Sequence, residues 1–464
     1  MIDTLINVKQ VVEHDLCVGC GACARTMSVD MSINEYGEYT PEVNGVSEKN
    51  IESASFVCPS LNPQMNESAI ASALYGKECS EDPFIGYVNQ SYAGYATEGQ
   101  FREKGTSGGM GTWVASELLK KGLVDGVIHV KEYERKSEKD PYFEYGISST
   151  LEEVQAASKT RYHVVELSKV LDKLEVLDGR FLLIGVPCMI KAVRRLQANG
   201  DKSAEKIGFT IALVCGHLKS INWSNSLAWG AGVNPKDTSK IQYRTKGEGI
   251  PARAYVFRAT DTLGNIQQTD SVDVVGGKFN AGALMLPACE FCDDVVGETA
   301  DLTIGDAWLP KFESDNNGTN LLLPRNPILA SLLQNASGEG RIALFDISNK
   351  EAADSQSGGF RQRRDGLSYR LERGIENGKL VPEKRVKPGQ FPVSNARKNI
   401  YDARTEVTMN SRELFKKALE ENDYYIYSKG MSKPVSDLRK MEIKNSFFKL
   451  LINKISRLIR SYVR

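Results

Sequence analysis

Nine cysteines are the residues of this chain whose type and spacing could do chemistry. Cys17, Cys20 and Cys23 form a C-x2-C-x2-C run, and Cys58 is followed by Pro59. Cys188, Cys215, Cys289 and Cys292 come much later, and Cys79 stands alone. Thiolates two residues apart on short loops can converge on neighbouring irons of an iron–sulfur cube, whose last iron then takes a distant cysteine. In the bacterial run C-x2-C-x2-C-x3-C-P the fourth cysteine serves the other cluster of a two-cluster ferredoxin. Here Met27 occupies that fourth position, Ser28 follows it, and there is no second triple run. Both losses remove the same half of a two-cluster protein, and Cys58-Pro59 is the remote ligand the other half needs. Cys17, Cys20, Cys23 and Cys58 therefore read as ligands of one [4Fe–4S] cluster. Zinc, which also takes four thiolates, is the competing reading.

The later cysteines are harder to read. Cys188 and Cys215 each follow a short apolar run, Phe181 to Val186 and Ile207 to Val214. Such runs suit buried parallel strands, whose carboxyl ends line the crevice where ligands bind. Cys289 and Cys292 add a C-x2-C in a loop. The four could close a second cluster. Equally, Cys188 or Cys215 could be packing residues, and Cys289 with Cys292 a zinc half-site. Cys79 reads as structurally incidental.

Two further segments carry binding chemistry. Gly105-Thr106-Ser107-Gly108-Gly109 precedes a helical stretch, where backbone N–H groups can approach an anion such as a flavin phosphate. The same residues match G-x-S-x-G, a nucleophile elbow. The polar Gly99 to Lys104 is no buried strand, however, and none of His14, His129, His163 and His217 is placed as a general base. Ser107 as a plain helix N-cap is the bland alternative. Ser158-Lys159-Thr160-Arg161-Tyr162 gathers two cations and a phenol, suited to a phosphate or an anionic flavin, or else to a solvated surface.

The elements that must position these residues read as α/β. Composition is that of a soluble globular protein of 464 residues, long enough for about three domains. Lysine plus arginine equals aspartate plus glutamate at 59 each, which gives no bias toward nucleic acid. The N-terminus does not read as a signal peptide, and no apolar run approaches a membrane span. Free cysteines at odd count suit a reducing, cytoplasmic interior. Residues 1–80 form a small cysteine module, with a turn at Asn34 to Gly37 between short strands. From there Ser91 to Thr97 reads as a strand, Ser107 to Lys121 as a helix, Leu123 to Val130 as a strand and Lys131 to Asp140 as a charged loop or hairpin. Leu302 to Gly305 is a weaker strand. The expected fold is an α/β core, its sheet mostly parallel or mixed with helices around it, preceded by a ferredoxin-like iron–sulfur module. Beyond about residue 345, Ser355 to Gly359 and Arg361 to Asp365 read as loop, and Pro382, Pro388 and Pro392 mark an irregular path.

Taken together the motifs resemble one family, that of the coenzyme F420 hydrogenase/dehydrogenase beta subunit, which includes plant 7-hydroxymethyl chlorophyll a reductase. The matching pieces are residues 17–23, Ser107 to Met110 with Gly122 to Val127, Ser158 to Tyr162, Gly185 to Cys188, Cys215 to His217, and Cys289 to Asp294 with Ala300 to Trp308. They lie between about residues 10 and 335 and divide as 81–175, an N-terminal family region, and 176–345, a C-terminal one. The resemblance implies a flavin, FAD in preference to FMN, held by Thr106, Ser107, Gly108, Gly109, Ser158, Lys159 and Tyr162. It also implies one or two [4Fe–4S] clusters, and so favours Cys188, Cys215, Cys289 and Cys292 as ligands. Arg161 departs from the family's Ser-Lys-Tyr, which weakens the assignment at Tyr162.

Clusters carry single electrons and a flavin one or two, so the implied activity is a flavin-dependent reductase acting on a small organic substrate. No G-x-G-x-x-G fingerprint follows a strand, which points to a ferredoxin-like donor or a deazaflavin rather than a nicotinamide. An electron-transfer subunit without substrate chemistry is the alternative, and a zinc-stabilised binding protein a third. Finally, residues 439–464 hold eight Lys/Arg and one acid, with Phe447, Phe448, Leu451, Ile455, Leu458, Ile459 and Tyr462 at helical spacing. That is a basic amphipathic helix, suited to an anionic membrane surface or to docking on protein.

Overall fold

The computed structural model describes residues 7–245, 256–312 and 314–462, with side chains up to residue 446. Eight strands form its central sheet. In chain order they are β1 (Ser91–Ala96), β2 (Gly126–Glu132), β3 (Phe143–Ser148), β4 (Phe181–Gly185), β5 (Ile207–Leu213), β6 (Leu302–Asp306), β7 (Asn320–Pro324) and β8 (Ile342–Ile347). Across the sheet the order is β8-β1-β7-β6-β5-β4-β2-β3. The central strands β2, β4, β5 and β6 run parallel, and the outer pairings are antiparallel. The α/β expectation holds, with a mixed sheet.

Burial on both faces explains the apolar runs of the central strands. On one face Leu182, Phe209 and Ile211 pack under Trp113, Val114 and Leu118 of the Met110–Lys120 helix and Leu329 and Leu333 of the Pro327–Gly338 helix. On the other, Phe181, Leu183 and Ala212 share a core with Ile190 and Val193 of the Pro187–Ala198 helix. That second core also contains Val8, Ala24, Ala54 and Val57 of the N-terminal module, so the module is fused to the sheet rather than tethered to it. Within the module, Met31–Ile33 pairs antiparallel with Tyr39–Pro41 around a turn in which Gly37 takes φ +73°.

Topology sets the site. β1 is antiparallel to β7, and β7 to β6, so β1 runs the same way as the parallel strands. The loop after β1, which carries Gly105 to Gly109, therefore emerges at the same sheet edge as Cys188 after β4 and Cys215 after β5.

The region after residue 345 departs from the expected irregular path. It is mostly helical, with helices at Asn349–Ser355, Ser357–Arg363, Asp365–Glu376, Asn395–Glu421 and Tyr424–Tyr462. Gly358 and Gly359 argue locally against a helix, each costing about 1 kcal/mol. Packing overrides that preference: a Cβ on Gly359 would lie 3.0 Å from Val295 Cγ1, so glycine lets this helix close on the loop after Cys292. Only residues 377–394, with the three prolines, run irregularly as expected. The expected C-terminal helix is present along the backbone to Tyr462, but its apolar side chains from Phe447 onward lie outside the described residues. No helix among the described residues is long and apolar enough to cross a membrane.

Candidate functional site

All nine cysteines are free thiols. Cys17 and Cys20 sit on the loop entering the Ala22–Met27 helix, and Cys23 lies in its first turn. Gly21 caps that helix at φ +80°, and Gly19, at φ +67°, turns so that its N–H donates to Cys17 Sγ at 3.4 Å. A Cβ on Gly19 would lie 2.9 Å from Val164, so the turn also needs glycine for space. Cys58 arrives from the C-terminus of the Glu48–Val57 helix. Charge on each of Cys17, Cys20 and Cys58 is felt at Cys23, which marks the four as one group.

The second group assembles from three segments. Cys188 opens the helix after β4, Cys215 follows β5, and Cys289 and Cys292 flank the end of the Pro287–Phe291 turn. Charge on Cys215, Cys289 and Cys292 is felt at Cys188. The Leu218 N–H donates to Cys289 Sγ at 3.2 Å. Cys20 also acts on Cys188, so the two groups are neighbours. Between them a small cleft of about 40 Å³ is lined by Val18 and Pro59 on one side and Cys188 and Cys292 on the other. Its charged walls are Glu67, Lys191, Lys384, Asp293 and Asp294. The Lys191 ammonium donates to Glu67 at 2.7 Å, tying the module to the helix after β4.

Burial pushes the Cys17 thiol up to about 12 and Cys289 up to about 11. Thiols held this high keep their protons unless a metal supplies the charge that removes them. Among the described residues, no three His, Cys, Asp or Glu side chains close on one point as ligands of a single metal ion do. Cys79 stands apart from both groups, donating to the Arg325 carbonyl at 3.5 Å beside Tyr75 and Tyr87.

The structure brings the two binding segments together. Thr106 and Thr160 share a hydrogen bond at 2.8 Å, and Lys159 Nζ donates to the Lys104 carbonyl at 3.2 Å. Arg244 reaches the same place, donating to the Thr106 carbonyl at 3.4 Å and to Asp306 at 3.5 Å. The Arg161 guanidinium lies over the Phe143 ring at 4.7 Å; its Nη2 is 3.8 Å from a Glu132 carboxylate oxygen, and its Nε has no hydrogen-bond partner among the described residues. Leu213 and Trp308, 40% and 46% exposed, offer apolar surface at the end of β5 and just past β6. Tyr162 instead packs edge-on to Trp223 and Tyr243 and against Phe279, which stacks on His217 at 4.1 Å. That aromatic wall runs from Tyr162 to His217, two residues after Cys215. Lys219 is buried within it, and burial pushes its ammonium down to about 7.

Gly108 and Gly109 are required by packing as well as by any ligand. A Cβ on Gly108 would lie 2.9 Å from the Gly94 carbonyl, and one on Gly109 would lie 2.5 Å from the Phe101 backbone. Ser107 does not cap the following helix; Gly109 is the N-cap residue, and Asn320 Oδ1 accepts from the Met110 N–H at 3.2 Å. Sequence reasoning missed Arg244, Lys219, Trp223, Tyr243 and Phe279. Only Lys219 carried a signal, two residues after Cys-Gly-His.

Some of the missed residues come from the region after residue 350. Arg363 donates to the Cys289 carbonyl at 2.6 Å, Arg385 to Glu298 at 2.8 Å, and Arg412 to Glu38 at 3.0 Å. The supposed extension thus reaches both thiol groups and the cleft between them.

Two family models match the chain. That of the coenzyme F420 hydrogenase/dehydrogenase beta subunit N-terminus covers residues 91–172, and that of its C-terminus covers residues 178–350, together more than half of the chain. A subunit of the F(420)H(2) dehydrogenase of Methanosarcina mazei is 21% identical over 311 residues, which are 66% of this chain and 79% of that protein. A chain of the xenon-derivatised F420-reducing [NiFe] hydrogenase complex from Methanosarcina barkeri matches at 18% identity with a TM-score of 0.48, covering 65% of this chain and 98% of its own. This chain belongs to the coenzyme F420 hydrogenase/dehydrogenase beta-subunit family, a family of oxidoreductase subunits.

Proposed function

We propose that this chain is a flavin-dependent iron–sulfur oxidoreductase. It passes electrons between a ferredoxin-like donor, or a deazaflavin, and a small organic substrate. Cys17, Cys20, Cys23 and Cys58 would hold one [4Fe–4S] cluster, and Cys188, Cys215, Cys289 and Cys292 a second. The observation that carries this reading is the pairing of two neighbouring groups of four thiols, each buried or half-buried. A zinc ion draws four sulfurs to about 2.3 Å from one centre. A four-iron cube holds each sulfur on its own iron and so further apart. Metal and sulfide content therefore tells the two apart. The Gly19 and Leu218 N–H groups aimed at sulfur suit thiolate ligands.

Thr106 to Gly109, Ser158, Lys159, Arg161 and Arg244 would hold the flavin. The cations gathered at the glycine loop, Lys159, Arg244 and Glu132-paired Arg161, fit an anionic group, and exposed Leu213 and Trp308 fit a flat apolar ring. Tyr162, expected among the flavin residues, packs into the aromatic wall; we keep it as a candidate at the edge of that site. When bound, these groups would supply the exchange between single electrons and electron pairs. The chain's own work is to exclude water from the thiols, to orient the flavin at the sheet edge, and to hold protonable Lys219 behind Phe279.

The relatives' names favour a second reading, an electron-transfer subunit of a larger complex, since both are described as parts of F420-dependent assemblies. Anaerobically purified chain should carry about eight irons, matching sulfide and one flavin. Single-turnover oxidation of the dithionite-reduced chain by candidate organic acceptors separates the readings. Oxidation by protein partners alone would leave the subunit reading standing, and zinc in place of iron would remove both.

A further inference from the structure

Arg363 is 3% exposed, and among the described residues the charges that act on it are those of cysteines, with no carboxylate in ion-pair range. It extends from the end of the Ser357–Arg363 helix into the second thiol group. Its guanidinium donates to the Cys289 carbonyl at 2.6 Å and to the Gly216 carbonyl. These two carbonyls belong to a cysteine of the group and to the residue after another. Its Nε is buried without a partner.

An unpaired buried charge costs several kcal/mol. Two carbonyl dipoles satisfy donors but not the charge, so a chain that retains such an arginine supplies it with an anion. The groups on which the Arg363 charge acts are Cys292, Cys289, Cys215 and Cys188, all four members of the second group. Four thiolates around an iron–sulfur cube are that anion. The first group has a parallel device. Arg195, fully buried, donates to the Cys58 carbonyl and at 2.8 Å to the Asn62 carbonyl. Arg195 lies inside the family-matched region, whereas Arg363 lies beyond its end at residue 350.

We infer that Arg363, supplied by the C-terminal helices, is the counter-charge of the second cluster and raises its reduction potential. The inference rests on the reading of Cys188, Cys215, Cys289 and Cys292 as ligands of one [4Fe–4S] cluster. A cluster held by four thiolates is net negative and gains one more negative charge when reduced. A fixed cation a few ångströms away stabilises the reduced form more than the oxidised one, and net charge and hydrogen bonding are among the levers that set such potentials. Arg363 is thus a positioning residue. It holds the loops of Cys215 and Cys289 and biases the electron toward the second cluster.

The test is a potentiometric titration of the full chain followed by electron paramagnetic resonance, with iron counted in each sample. Arg363→Gln should shift the reduced-to-oxidised ratio of the second cluster at fixed potential at least about tenfold toward oxidised, about 59 mV for a one-electron couple. Arg363→Lys, which keeps the charge, should stay near the wild-type midpoint, and the first cluster should not move in either. An unmoved second midpoint in R363Q at full iron content overturns the inference. If R363Q loses iron, R363K decides: full iron with a wild-type midpoint supports the charge role. Loss of iron in R363K as well reduces the arginine to a scaffold and overturns it. A wild-type chain with only four irons instead removes the two-cluster reading, and that failure shows in the count before any midpoint is measured.

Discussion

The two thiol groups are built in opposite ways. The first takes three of its cysteines from seven consecutive residues, 17–23, and a fourth from the end of one helix. The second takes single cysteines from two strand ends and a pair from a turn about 75 residues later. Local chain geometry makes the first; sheet topology makes the second. A locally built group depends on what is packed over it, because its own segment is small. A topologically built group shares the stability of the sheet. The two regions should therefore fail separately and for different reasons.

Removing one ligand from each is the strongest test of that separation. Cys20→Ala should lower iron from about eight to about four per chain and abolish one resonance signal; Cys188→Ala should do the same to the other. Cys20 acts on Cys188 directly, so the alternative is that both clusters leave together. Complete iron loss in either variant would show one cooperative unit and end the comparison.

The next largest effect concerns what covers the first group. Arg412, 1% exposed on the Asn395–Glu421 helix, donates to Glu38 at 3.0 Å and to Asp15 at 2.9 Å, with its guanidinium 4.0 Å over the Tyr36 ring. Breaking a buried pair by removing one partner costs about 3–5 kcal/mol. Arg412→Ala should lower stability by about that much in urea, and the first cluster's signal should decay before the second's. Loss of both signals at the same urea concentration would show that the C-terminal helices brace the whole molecule alike.

The difference between the groups also explains what the sequence could show. The first group was legible because short-range spacing is preserved in the letters, and so were the strands β4 and β5, whose unbroken apolar runs state their burial. Cys188, Cys215, Cys289 and Cys292 could be suspected but not joined, because nothing in the letters says that β4 and β5 are neighbours. β3 was hidden by the charged run before it, though Phe143 and Tyr145 alternate inward. The C-terminal helices were misread because Gly358-Gly359 and three prolines are local signals, while the contact that decides for helix, Gly359 against Val295, is tertiary. Arg363, Arg385 and Arg412 had no signal at all: an arginine in a polar helix or loop looks the same whether it points to water or to a buried carboxylate or carbonyl.

The smallest predicted difference is in pH response. The sheet contains buried His129 on β2, which shares a hydrogen bond with Ser148 on β3 at 2.8 Å. Burial first, then the nearby Lys131 and Arg161 charges, pushes it down to about 4 from an ordinary value of 6.5. Buried His163, on the segment before the Ser168–Glu175 helix, is likewise pushed down to about 4 by burial. In the N-terminal module His14 is exposed. Between pH 6.5 and 4 the unfolded chain binds protons on His129 and His163 that the folded chain does not. Stability from these groups is therefore complete above about pH 6.5 and falls as the pH drops, by about 1.4 kcal/mol per unit for each histidine. His129→Gln keeps a donor for Ser148 and removes one proton from that balance. Between pH 6.5 and 5.5, a range mild enough to follow both cluster signals, the slope of urea stability against pH should fall by about one proton. The second cluster's signal, which depends on the sheet, should lose its pH sensitivity more than the first's. An unchanged slope in His129→Gln would mean that His129 is already protonated in the folded sheet, and that acid acts on the two regions equally.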